Sequence, residues 1–205
     1  MEENPLNKPV KTLPAGYTLA GSITLTRTAD LLPMLIWSLV LPALLLLLVV
    51  TVLCLTHQIA DWNLFSLHSV GQIAAFFGGM LLVTLVMVIA HEGLHGLVFW
   101  CATGNLPRFE FKFYYASASP GGWYLPRRVF MLATLVPLVT ISLVCLALIP
   151  FASPFLRCLL ILLAVFNASG SAGDLVVALR LFRLPAETLS LDNGTSVYFF
   201  IPAPG

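Results

Sequence analysis

Apolar residues fill four long stretches of this chain, and the shorter polar segments between them either alternate or gather small residues. The first stretch, about 31–56, is rich in Leu and Val and exceeds the roughly 20 residues needed to cross a bilayer core. Others occupy about 70–103, 129–151 and 155–179, so the pattern predicts four transmembrane helices. Between the second and third, Phe109, Phe111, Phe113 and Tyr115 alternate with Arg108, Glu110, Lys112 and Tyr114. That period of two predicts a strand. Ala116 to Gly122 has the Ser, Pro and Gly content of a turn, while Tyr17 to Leu25 and Thr195 to Ile201 read as further strands. The expected fold is an all-α multi-pass membrane protein with a small cytoplasmic β element, forming one membrane-embedded domain over 1–205.

Composition agrees with a bilayer setting. Of 205 residues, 59% are hydrophobic and 9% charged, and the mean hydropathy is +0.97; soluble domains carry roughly a quarter charged residues. Ten Lys and Arg against nine Asp and Glu leave no basic excess, which argues against nucleic acid as a partner. Nine of the positive charges sit before the first span (Lys8, Lys11, Arg27), between the second and third (Arg108, Lys112, Arg127, Arg128) and after the fourth (Arg180, Arg183), and only Arg157 marks an exterior turn. The positive-inside rule then puts both termini in the cytoplasm. Met1 to Asp30 does not look like a cleavable signal, so the first span is expected to stay as an anchor. Cys54, Cys101, Cys145 and Cys158 lack paired spacing and read as small buried hydrophobes, and His57 and His68 as exterior interface residues.

Few ionisable residues lie deep inside the spans: His91, Glu92 and His95 in the second and Asp174 in the fourth. No Lys or Arg accompanies them there. A carboxylate in lipid costs roughly 2.5–3.5 kcal/mol on insertion scales, so two of them call for a countercation, protonation or water. A divalent metal answers that need. His91 and His95 are four apart and project from one helical face. The run His91-Glu92-Gly93-Leu94-His95 is HExxH, in which two His bind zinc and the adjacent Glu takes a proton from an activated water. A third ligand is needed, and Asp174 is the other acid within the spans. At 1.5 Å per residue the His pair lies roughly 12–18 Å, and Asp174 roughly 9 Å, from the inner boundary, a gap that helix tilt can close. Asn167 shares a helical stripe with Ser171 and Asp174 amid small residues. It is assigned to binding the substrate backbone or a developing oxyanion, with an interhelical hydrogen bond as the alternative.

HEGLHG at His91 to Gly96, YYASASPGGWYLPRR at Tyr114 to Arg128, a span containing VPL, and NASGSAGDL at Asn167 to Leu175 together resemble a bacterial family of zincin peptidases with a domain of unknown function. That family is similar to the site-2 protease class of intramembrane zinc metallopeptidases. The resemblance covers about Ala90 to Leu179 and implies zinc held by His91, His95 and Asp174, with Glu92 as general base. The site-2 class usually follows its ligand Asp with Gly; here Gly173 precedes Asp174 and Leu175 follows.

These readings converge on hydrolysis of peptide bonds in membrane proteins or membrane-associated peptides, near the cytoplasmic side of a cell membrane and without a covalent intermediate. The strand from Arg108 to Tyr115 is expected either to receive an unwound substrate by edge addition or to rest on the headgroups. Two other classes stay open. A metal-ion carrier would use His91, His95 and Asp174 in transit, with Glu92 as a fourth ligand. A catalytically silent protein would keep the fold to bind membrane partners.

Overall fold

The computed structural model describes residues 8–24, 27–56, 69–112 and 115–203. His57, His68, Phe113 and Tyr114 lie outside the described residues. The chain is mostly helical. In order it forms β1 (Tyr17–Thr24), α1 (Thr28–Leu55), α2 (Val70–Thr103), β2 (Arg108–Lys112), β3 (Tyr115–Ser119), β4 (Tyr124–Pro126), α3 (Arg127–Leu148), a 3-10 turn, α4 (Pro154–Gly170), α5 (Ala172–Phe182), β5 (Leu189–Asp192) and β6 (Ser196–Pro202).

Among the described residues, α1, α2 and α3 with its 3-10 extension are long and apolar enough to cross a membrane. The fourth apolar stretch is not one helix: α4 and α5 meet at a 46° bend, and only together do they pass the same test. The break falls at Ser171, where Gly170 and Gly173 flank it and the Ser171 Oγ donates to the Asn167 carbonyl at 2.8 Å. A hydroxyl bonding back one turn competes with the helix ladder and bends it. Helix ends elsewhere follow ordinary capping. Ser69 accepts from the Gln72 N–H at 3.2 Å at the start of α2, and Gly104, with φ 67°, closes its end in the left-handed conformation. Leu35, Leu39 and Leu47 of α1 are 60%, 69% and 65% exposed, the pattern of a face turned to lipid.

The β elements form two sheets. A four-stranded antiparallel sheet runs β1-β6-β5-β4, and β2 pairs only with β3. Two sequence expectations change here. The strand from Arg108 stops at Lys112 among the described residues, and its antiparallel partner is Tyr115–Ser119, which takes Tyr115 from the expected strand and Ala116 to Ser119 from the expected turn. Short Ala and Ser side chains hide a strand from propensity, because their place in it comes from pairing with Phe109 and Phe111. A core of Ile23, Phe99, Leu125, Phe130, Val177, Leu181 and Phe199 ties the larger sheet to the end of α2, the start of α3 and the end of α5. Leu45, Ile141, Ala164 and Ala168 join α1, α3 and α4 further along. Of the cysteines, Cys145 is buried while Cys54 and Cys101 are exposed, so the expectation of burial fails for the latter two, which lie on apolar helices.

Candidate metal centre

His91 and His95 stand one turn apart on α2, both buried, and Asp174 occupies the first turn of α5 just past the bend. The three sequence-predicted ligands come together. His91 Nε2 lies 3.2 Å from His95 Nε2 and 3.2 Å from Asp174 Oδ2, and His95 Nε2 lies 3.4 Å from the same carboxylate oxygen. Among the described residues, these three form the cluster able to hold a metal ion.

The protonation pattern follows from the groups on the far side of each ring. His95 Nδ1 lies 2.8 Å from the Ala133 carbonyl, which can only accept, so Nδ1 carries the proton. That carbonyl is free because Pro137, four residues along α3, has no N–H to give it. His91 Nδ1 lies 3.0 Å from Asn167 Oδ1, while Asn167 Nδ2 faces the Pro137 and Leu138 carbonyls at 3.4 and 3.5 Å. The amide orientation makes Oδ1 the acceptor, and His91 Nδ1 donates as well. Both Nε2 atoms therefore present lone pairs to each other and to a carboxylate.

Three acceptors in a near-equilateral triangle repel unless a cation sits among them. One proton satisfies one edge; an ion at the centre satisfies all three. Tetrahedral ligands about 2.0–2.1 Å from a zinc ion stand roughly 3.3 Å apart. The edges here, 3.2, 3.2 and 3.4 Å, match that spacing, so the residues fit zinc.

Glu92 lies beside the triangle and outside it. Ala118 of β3 lines the same cavity as Glu92, so β3 lies over the site. His91, Glu92, His95 and Asp174 open into one cavity of about 220 Å³ whose opposite walls are Ala116 to Ala118 and Asp192 to Val197. The two walls touch: a Cβ on Gly194 would stand 3.0 Å from the Ser117 Oγ. Gly96, which ends the HExxHG run, admits the β2–β3 hairpin, because a Cβ there would stand 2.6 Å from Phe109 and 3.0 Å from Pro107. Asn167 is fully buried and does not line this cavity; its amide is spent on His91 and α3.

The family model described as "Putative zincin peptidase" matches residues 84–189, just over half of the chain. The chain belongs to this zincin peptidase family. Its matched segment contains α3 through α5, the whole metal triangle and β3, while β1, α1 and β6 lie outside it. No curated protein and no solved structure matches the chain.

The zincin site includes parts that motif reading did not find. Pro137 was visible as a proline inside an apolar span, and counting back four residues finds the freed carbonyl. Asp192 and Ala118 carried no such signal, because they enter the site through strand pairing distant in sequence.

Proposed function

We propose that the chain is an intramembrane zinc metallopeptidase acting on membrane proteins or membrane-associated peptides near the cytoplasmic side of the cell membrane. The observation that carries this reading is the triangle of three lone pairs at zinc-ligand spacing with Glu92 next to it. α4 and α5 act as one bent span, giving four crossings with both termini inside, as the flanking Lys and Arg favour.

His91, His95 and Asp174 hold the ion, which when bound supplies a Lewis acid for the peptide carbonyl and for a water near neutral pH. Glu92 takes up a proton in the cavity and delivers it to the leaving amine. Asn167 and the Ala133 carbonyl fix the tautomer and angle of the two rings, so Asn167 is a positioning residue.

A helical peptide bond is shielded by its own hydrogen bonds, so the substrate must be extended where it is cut. β3 is paired with β2 along one edge and its residues Ala116 to Ala118 line the cavity, so an extended substrate adds beside β3 once the contact between Ser117 and Gly194 opens. A groove of about 420 Å³ between α2 and α4, lined by Met80, Thr84, Met87, Phe166 and Ser169, shares Gly170 with the cavity. It is the route from lipid. Glu92 stands outside the three-residue cluster, which supports a peptidase over a carrier that spends it as a ligand.

The test is Glu92→Gln. In metal analysis of detergent-purified protein, wild type and variant should each carry one zinc per chain, while the variant should cleave a membrane substrate about 10²–10⁴-fold more slowly. Loss of zinc from Glu92→Gln would favour the carrier.

A further inference from the structure

A second cavity, of about 440 Å³, lies between β1, the start of α1 and the end of α5. Its volume falls in the range of roughly 300–1,000 Å³ typical of small-molecule sites. Arg27, Arg180 and Arg183 line it, against one carboxylate, Asp30. The Asp30 Oδ2 already accepts the Thr24 N–H at 3.1 Å. Among the described residues none of the three guanidiniums is ion-paired. The Arg180 guanidinium lies against β1, its Nη2 3.5 Å from where a Cβ on Gly21 would stand.

The cavity is also polarised along its length. Arg27 and Asp30 sit at the start of α1, and Arg180 and Arg183 at the end of α5. Pro33 and Trp37 continue the wall deeper along α1, and Val176 and Leu179 do so along α5. From Arg27 to Trp37 is ten helical residues, about 15 Å. The charged end therefore stands at the sheet side and the apolar end runs into the membrane-spanning part of α1. Arginine beside a membrane-spanning helix is ordinary topology marking. Three unpaired guanidiniums around one cavity, grading into an apolar trough, are more than that.

We propose that this cavity binds the phosphate headgroup of an anionic phospholipid, with an acyl chain along Pro33, Trp37, Val176 and Leu179. Guanidinium forks match phosphate oxygens bidentately, and Trp37 suits the boundary between headgroup and chain. A free phosphate would use the same arginines but leave the apolar trough empty. The proposal depends on α1 and α5 standing in a membrane and on no step of peptide hydrolysis.

The experiment is native mass spectrometry of the detergent-purified full chain titrated with phosphatidylglycerol, phosphatidylcholine or inorganic phosphate. One phosphatidylglycerol should be retained at about tenfold lower concentration than phosphatidylcholine, and inorganic phosphate at equal concentration should not displace it. Arg180→Gln with Arg183→Gln should abolish that preference while the zinc content stays at the wild-type value. Equal retention of both lipids, displacement by inorganic phosphate, or a preference that survives the double substitution would each overturn the proposal. Should the glutamine variant fail to fold, Arg180→Lys with Arg183→Lys keeps the charge and loses the fork. Its preference should fall several-fold, and an unchanged one counts against the site.

Discussion

The Ala133 carbonyl receives the His95 Nδ1 proton at 2.8 Å because Pro137, one turn further along α3, leaves that carbonyl without its helical donor. Pro137 thus decides which nitrogen of His95 is left to face His91 and Asp174. Pro137→Ala restores a competing N–H. Zinc affinity should fall about 10-fold, within the range found when outer partners of metal ligands are lost. Competition with a chromophoric chelator measures it, and an affinity equal to wild type would show that the ring needs no such anchor.

Asn167 and Asp174 should separate by degree. Asp174→Ala removes a corner of the triangle, so zinc should be lost on desalting while the protein still elutes as the folded species. Asn167→Ala removes the His91 partner and the amide facing the Pro137 and Leu138 carbonyls but leaves all three corners in place, and should weaken zinc by about 10–100-fold. If Asp174→Ala keeps its full metal content, the carboxylate is not a ligand.

Gly96→Ala tests whether β3 must lie over the site. The added methyl meets the Phe109 and Pro107 rings, so the hairpin shifts on α2 and with it Ala118, which lines the cavity beside Glu92. Zinc content should be unchanged and cleavage should drop at least several-fold. An active variant would mean that the hairpin adjusts without disturbing Glu92.

Asp192 predicts a pH dependence. Burial is the chief cause that pushes its carboxyl up to about 7, against the opposing hydrogen bond from the Gly194 N–H at 2.7 Å. The folded protein then keeps a proton that the unfolded chain loses near pH 4, so stability is fully present below that and declines as pH rises to about 7. Asp192→Asn cannot ionise. Its melting temperature in detergent should stay flatter than wild type between pH 4 and 7, and two parallel curves would mean that Asp192 titrates normally.

That His91, His95 and Asp174 come together was legible because charge among apolar spans is costly and therefore sparse: two imidazoles at helical spacing and one further acid leave few alternatives. Strand β1 and the last strand were likewise visible, since Tyr17 to Thr24 and Ser196 to Pro202 follow their residue pattern closely. The strand facing Glu92 was not. Ala116, Ser117 and Ala118 have no side-chain bulk to announce a sheet, and their position comes from pairing with Phe111, Glu110 and Phe109. The Ser- and Gly-rich run after Asn167 pointed to close helix packing, yet its larger effect is the bend at Ser171.

That bend would give an ion in the triangle a mechanical task. Two of the proposed holders belong to one uninterrupted rod and the third to a short arm jointed at Ser171, which carries Arg180 at its other end. A bound ion would rivet the arm to the rod. Stripping it should therefore loosen the arm along its whole length, so that chelation is felt at the arginine cavity as well as at the histidines.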